Sequence, residues 1–390
     1  MFMMARKIIY VSWIPLTAKV LHDWHIDHLI SKGGAVEYWD VTRLLRGELL
    51  QIGAISTDYT KYFQTYREVE EQLKLQGNSD SLFVMLVGYD GRRASFYRLF
   101  TKYDCRMVFI NLGTMPILTQ KNIVQKSLLR LNRPLTLAED IYFKIKGIVF
   151  RKLKLIKPYD IYFSSGELLA SETSIGNSYA RKEVPINSSD YENHMKECAK
   201  IGCLVEGAYA VYLDIYLPFQ SDLEVCGMQA VTPSLYYSSL NRFFRIIEAQ
   251  CNLKVVIAAH PKADYHKDTF EGREIFSGQT PRLVKNAEFV IVEASTSISY
   301  AVLNYKPIVS IYTEEMSHLY RDNFMLSIYA ASSVLGSSLY NIDTVTQNEK
   351  INIRDVDQEK YDRYKYSYLT SKQSEKRNSS DIFYSEMTAW

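Results

Sequence analysis

Two short apolar runs, Lys254–Ala259 and Phe289–Val292, each stop at polar residues: His260-Pro261 after the first, and Glu293-Ala294-Ser295-Thr296-Ser297 after the second. Unbroken apolar runs this short suit strands covered on both faces, as in a parallel sheet flanked by helices. In such a sheet ligands lie just beyond the carboxyl ends of the strands, where the following helices offer backbone N–H groups to anions. The two strand ends are therefore read together as one site for a phosphate-bearing ligand.

The same alternation runs along the chain. Strands are predicted at 7–13, 36–39, 82–88 and 107–111, with helices over 22–32, closed by Gly33-Gly34, and over 62–75. A break near 185–189 precedes a helix at 191–201. A second series then begins: strands at 209–213, 255–259, 289–292 and 308–311, with helices over 232–250, 280–286 and 297–303. The expected class is therefore α/β, as two Rossmann-like domains facing a central cleft. The expected division is 1–190, 191–345, and a segment 346–390 whose helix, over 355–371, returns to the first domain ahead of a polar, loosely ordered tail.

Composition narrows the function classes. At 390 residues the chain is long enough for two cores, and 47% apolar against 23% charged residues excludes a disordered protein. No apolar run approaches the ~18 residues that span a bilayer. The opening MFMMARKIIYVSWIP reads as a first strand and not as a signal peptide. The 5 cysteines form no CxxC pair, so neither a disulfide framework nor a zinc site is expected, and a reducing cytoplasm is. No GxGxxG follows the first strand, which disfavours NAD. The 30 tyrosines exceed what the pattern explains.

The ordered set His260-Pro261, the turn Gly278-Gln279-Thr280, the Ser/Thr strand end and Lys306-Pro307 resembles the carboxy-terminal half of GT-B glycosyltransferases that use CMP-activated sugars. These include bacterial sialyltransferases and the Kdo transferases of capsule and lipopolysaccharide assembly. The likeness covers about 205–345, and the amino-terminal half only in general plan. It implies a nucleotide-sugar donor, a glycan or glycolipid acceptor, no cofactor beyond the CMP-sugar itself, and no catalytic metal.

A nucleoside monophosphate leaving group gathers negative charge as the glycosidic bond breaks, so the site must bind that charge more strongly in the transition state. Ser295, Thr296 and Ser297 are expected to cradle the phosphate, with Pro261, Gly278 and Thr280 also binding the nucleotide or its phosphate and Lys262 and Lys306 adding charge. Simple helix capping would use the same serines. His260 is expected to donate to the nucleotide phosphate, as the resemblance implies, and Glu293 to bind ribose hydroxyls. The attacking hydroxyl needs a general base. Two carboxylates compete for the role. Asp90, in Gly88-Tyr89-Asp90-Gly91, resembles the acidic-Gly element of bacterial sialyltransferases, with Tyr89 replacing the paired acid; a turn aspartate before glycine is the plain alternative. Asp214 ends the first strand of the second series.

Two further stretches carry chemistry. His22, His25 and His28, with Asp23 and Asp27, spread too widely around a helix for one closed metal site, and acceptor binding is the better expectation. Residues 121–157 hold 10 Lys/Arg against 2 acids, interleaved with apolar residues. That pattern suits contact with an anionic membrane surface, placing the protein peripherally on the inner face of the plasma membrane; a solvated helix face is the alternative. Nucleic acid is not expected as a partner, since the net charge is only +2. The reading is sugar transfer, of a nonulosonic acid or Kdo from CMP, onto a surface-glycan precursor. UDP-, GDP-sugar or polyol-phosphate donors, or a non-catalytic nucleotide-sugar-binding scaffold, remain the alternatives.

Overall fold

A computed structural model describes residues 7–47, 53–76, 81–113, 115–116, 134–167, 180–200, 202–220, 223, 228–266, 268–321 and 323–389. They form two compact units. One runs to Gly113, resumes up to Ser189 and takes in the chain from Thr370 on; the other is built on Asp190–Leu369.

The first unit carries seven parallel strands: β1 (Lys7–Ser12), β2 (Ala35–Asp40), β3 (Thr60–Tyr62), β4 (Leu82–Met85), β5 (Arg106–Asn111), β6 (Tyr159–Ser165) and β7 (Ala180–Ile186), in the order β3-β2-β1-β4-β5-β6-β7. Alternate residues of β1 enter opposite cores. Ile9 and Val11 pack with Phe83, Met85 and Phe100, whereas Ile8 and Tyr10 pack with Val84, Ile161 and Phe383. Both faces are thus covered, which is why β1 reads as one apolar run.

The second unit carries six parallel strands: β8 (Tyr209–Leu213), β9 (Lys254–Ala259), β10 (Ile275–Ser277), β11 (Phe289–Val292), β12 (Ile308–Tyr312) and β13 (Ser338–Asn341), in the order β10-β9-β8-β11-β12-β13. In both sheets the chain moves out one side of the first strand and returns to its other side. The reversals fall at β1/β4 and β8/β11, and the crevice at such a switch point is where open α/β sheets bind ligands.

Several expectations need correction. β3, β10 and β13 are too short to stand out as apolar runs. β6, YDIYFSS, contains a buried Asp160 that is satisfied by the N–H of Met107 at 2.8 Å and by Arg181 at 3.1 Å. β7, ARKEVPI, runs into the break expected at 185–189, and Pro185 is tolerated in it because β7 is the edge of the sheet. The helix expected over 22–32 is two short ones, Ala18–Asp23 and Ile26–Ser31, separated by His25 in the left-handed region at φ 59°. The helix expected over 355–371 is Gln358–Tyr364 followed by a π turn, Lys365–Leu369.

The polar tail is not loose. Residues Ser379–Thr388 form a helix that buries Ile382, Phe383 and Met387 in a core of the first unit. Burial of such side chains contributes roughly 1.5–3 kcal/mol each before ordering entropy is subtracted. The preceding loop is pinned by Asn187, whose side-chain amide donates to the carbonyls of Ser374 (3.2 Å) and Arg377 (2.8 Å) and whose N–H donates to Ser379 Oγ (2.9 Å). The terminal helix also accounts for two of the three histidines. His25 packs on Phe383, with ring centroids 5.5 Å apart, and His28 Nε2 lies 3.2 Å from Asp381. His22 instead faces Asp27 at 3.2 Å, so the three rings serve separate contacts.

Of the basic segment, 121–133 lie outside the described residues. The rest is the helix Pro134–Lys152, whose Ile141, Tyr142, Ile145 and Val149, followed by Leu153, are between 40% and 64% exposed.

Candidate site at the carboxyl ends of β8, β9 and β11

Leu213 of β8 pairs with Ala258 of β9 on one side and with Val292 of β11 on the other. The next residue of each strand, Asp214, Ala259 and Glu293, therefore stands in one row at the edge of the sheet, with His260 one step further. The sequence places these residues on three separate runs, and the register brings them together.

Asp214 is buried and fully engaged. Its Oδ1 accepts the N–H of Tyr216 at 2.8 Å, and its Oδ2 accepts the N–H of His260 at 2.9 Å and the Tyr265 hydroxyl at 2.6 Å. Burial raises the carboxyl above the ordinary aspartate value, while the Tyr265, His260 and Tyr216 hydrogen bonds pull it down. This geometry ties the end of β9 to the end of β8, and it permits Tyr216 to adopt its left-handed conformation at φ 53°.

His260 is held from three sides. Its N–H goes to Asp214, its carbonyl accepts the N–H of Ala263 at 2.9 Å to close the turn through Pro261, and its Nδ1 accepts the N–H of Lys262 at 3.2 Å. Nδ1 as acceptor puts the proton of the neutral ring on Nε2. The Tyr216 ring lies parallel to the imidazole, with centroids 6.5 Å apart. Lys262 and Pro261 are exposed.

After β11 the chain turns through Ser295, Thr296 and Ser297. Ser295 is buried; its N–H donates to Glu293 O at 3.1 Å and its Oγ accepts the N–H of Ser297 at 3.3 Å. Thr296 is exposed, and its carbonyl accepts from the N–H and Oγ of Ser299 at 3.1 and 2.8 Å. The helix Ile298–Leu303 begins there, with no side-chain cap from Ser297. Gly278, at φ +69°, turns the chain from β10 into the helix Thr280–Asn286 at the outer end of the same edge. Lys306 is placed by its backbone: its N–H donates to Ala301 O at 2.9 Å and its carbonyl accepts the Tyr361 hydroxyl at 2.9 Å.

Glu293 does not point outward as a ribose ligand would. It is buried, with Oε2 accepting the hydroxyls of Tyr236 at 2.6 Å and Tyr212 at 3.1 Å. Oε1 is buried with no hydrogen-bond partner among the described residues. Burial pushes the carboxyl up to about 8, against the two tyrosine hydrogen bonds, so it keeps its proton at neutral pH. Parity in the strand foretells this direction. Phe289 and Ile291 face the core that holds Tyr212 and Tyr236, and Glu293 continues their alternation. Tyr212, Tyr236 and Tyr265 are site residues that the sequence reading missed, and the tyrosine excess was the available signal. Three hydroxyls donate to one oxygen of each of two buried acids here.

Asp90 belongs to the first unit and has its own partners. It caps the short 3-10 turn Gly91–Arg93: Oδ1 accepts the N–H of Arg93 at 3.0 Å, and Oδ2 accepts from its guanidinium at 2.8 Å. That is the capping role of a turn aspartate.

No protein-family model and no curated protein matches this sequence. Among solved structures the chain is similar to MurG of Acinetobacter baumannii, with a TM-score of 0.50 at 8% identity over 99% of this chain and 100% of that one. It is also similar to a variant of the wall teichoic acid polymerase TagF (TM-score 0.48, 11% identity, 98% of this chain and 89% of that one) and to the calicheamicin glycosyltransferase CalG4 (0.47, 13%, 88% and 87%). The MurG likeness, together with the two parallel sheets, gives the chain the GT-B fold.

Proposed function

We propose that the protein transfers a sugar from a nucleotide-sugar donor, with the nucleotide held at the carboxyl edge of the second sheet. The observation that carries this reading is the row Asp214, His260 and Ser295–Ser297 at the β8/β11 reversal. There the register sets the ends of β9 and β11, with His260 and the Ser295–Ser297 turn, on either side of β8, and the neutral His260 ring carries its proton on Nε2. In this reading His260 donates to the leaving phosphate and Ser295–Ser297 cradle it. Asp214 is a positioning residue: its oxygens already serve Tyr216, His260 and Tyr265, and it fixes where the imidazole stands. CMP-activated nonulosonic acid or Kdo remains the donor favoured by the His-Pro and Ser-Thr-Ser pairing. UDP- and GDP-sugars fit the same edge.

The test is a thermal-shift panel of CMP, UMP, UDP, GMP, GDP, AMP and ADP on the purified chain, since a ligand specific to the folded state raises stability by RT ln(1 + [L]/Kd). Selective stabilisation by CMP supports the proposed donor; UDP or GDP changes the donor and keeps the reading; no response to any nucleotide sinks it. Nucleotide binding without turnover on any donor would favour the scaffold alternative. Asp214→Asn is expected to lower the unliganded stability by about 2 kcal/mol and to abolish the nucleotide shift, because in either amide orientation one backbone N–H meets an N–H2. Undiminished nucleotide affinity in that variant would remove Asp214 from the site.

We propose too that the helix Pro134–Lys152 rests on an anionic membrane. Its exposed Ile141, Ile145 and Val149 are accompanied by Lys144, Lys146 and Lys152, and each such cation contributes about 1 kcal/mol near an anionic surface. The double variant Ile145→Asp/Val149→Asp is expected to fold and to lose flotation with phosphatidylglycerol vesicles. Equal flotation of variant and parent would sink the membrane reading.

A further inference from the structure

The carboxyl edge of the first sheet holds a second cluster, at its own strand-order reversal. Three neighbouring strands, β2, β1 and β4, each contribute to it. Trp13 follows β1 directly. Arg46 ends the helix Thr42–Arg46 that follows β2, and Arg93 closes the turn that follows β4. The guanidinium carbons of Arg46 and Arg93 lie 4.2 and 3.9 Å from the centroid of the Trp13 ring, so one indole carries two cations.

The charges around that indole do not balance. Arg93 is paired with Asp90 at 2.8 Å and also donates to the Gly88 carbonyl at 3.0 Å. Arg46 has no ion pair among the described residues. Arg43 lies one helical turn before it, exposed, and Arg92, adjacent to Arg93, faces Glu139 at 3.9 Å. Asp40, the other acid at these strand ends, is buried and accepts the N–H of Thr42 at 2.8 Å. Burial lowers the Arg93 guanidinium from its ordinary value in spite of Asp90, and the Arg46 and Arg92 charges add to the lowering. Each guanidinium gains from the ring, but the two like charges repel one another across it, and a pair of guanidiniums held by one indole suits an oxyanion.

From this geometry we propose that Arg46, Trp13 and Arg93 form a binding site for a phosphate mono- or diester, separate from the nucleotide edge. Arg46 supplies a charge with no ion pair among the described residues, Arg93 a second guanidinium, and Trp13 the apolar wall that both lie against. The site stands on the first unit alone and does not depend on the nucleotide reading.

Isothermal titration of the full chain with glycerol 3-phosphate and with inorganic phosphate tests it, alongside flotation with phosphatidylglycerol against phosphatidylcholine vesicles as the lipid-phosphate arm. Submillimolar binding of the soluble phosphates, weakened about tenfold or more in Arg46→Gln, is the result expected for a soluble phosphate ester. Flotation that Arg46→Gln abolishes, without soluble binding, would assign the site to a lipid phosphodiester. Arg46→Lys, which keeps the charge and loses the fork, is expected to fall between. Binding and flotation both unchanged in Arg46→Gln, or neither detected in the parent, would overturn the proposal. A drop in unliganded melting temperature for Arg46→Gln as large as that for Arg93→Gln would also overturn it, since Arg46 would then serve only to cover Trp13.

Discussion

Glu293→Gln is expected to remove most of the pH dependence of stability between pH 5 and 8. In the folded protein this carboxyl is pushed up to about 8, whereas its ordinary value is 4.5. Between those values the folded state binds a proton that the unfolded state has released, so stability falls as pH rises; it is highest below the ordinary value and levels off above about 8. Over pH 5 to 8 the loss is on the order of 3 kcal/mol. Glutamine has the shape of the neutral acid and cannot ionise, and its carbonyl can still accept from Tyr236 and Tyr212. Urea midpoints of parent and variant at pH 5, 6.5 and 8 decide the matter. Asp214, whose value is also raised, gives a residual slope common to both proteins. Identical slopes would mean that Glu293 reaches water in solution and is not the buried acid described above.

Gly91→Ala is expected to destabilise the first unit by about 3 kcal/mol or more, through backbone overpacking. A Cβ at Gly91 would stand 1.7 Å from the carbonyl oxygen of Phe143, in the helix Pro134–Lys152, and 3.0 Å from the N of Gly147. Gly147 meets it from the other side, with its own Cβ position 3.3 Å from Gly91 N, and its carbonyl accepts the Tyr89 hydroxyl at 3.0 Å. Two glycines thus let a helix and a strand-end turn touch backbone to backbone. Gly88→Ala, three residues away, meets nothing within 4 Å and is expected to be within about 0.5 kcal/mol of the parent. Equal melting temperatures for the two variants would refute the contact.

That pair of glycines shows what the sequence could and could not disclose. Gly88-Tyr89-Asp90-Gly91 reads as a turn from composition alone, and it is one. Nothing local says that Gly91 is fixed by a helix more than fifty residues later, because the constraint is a contact and not a dihedral. The sheets were legible where strands are buried on both faces: β1, β4, β8, β9, β11 and β12 contain runs in which apolar residues supply both cores. β6 and β7 were not, since Asp160, Glu183 and Pro185 break the run and are accommodated by partners and by an edge position that only the tertiary fold provides. Asp214 and His260 stand at the strand ends where the sequence puts them, because their strands are apolar runs. The bond between them depends on the register of β8 against β9, and Tyr265 on a loop beyond it. Glu293 was located correctly and read facing the wrong way, although strand parity was enough to orient it.

The helix Ser379–Thr388 has a consequence for how the protein comes off the ribosome. It supplies the last wall of a core that begins at Ile8, and it does so after the entire second unit has been made. At synthesis rates of ~5–20 residues/s, the roughly 190 residues between the end of β7 and this helix occupy on the order of 10 to 40 s. During that interval Phe163, Ile186 and the aromatic side of His25 lack the cover that Phe383 and its helix supply, next to the unpaired edge of β7. The first half of the nascent chain must therefore wait, apolar and open-edged, while the second half folds, and this window is when the protein has most need of a chaperone.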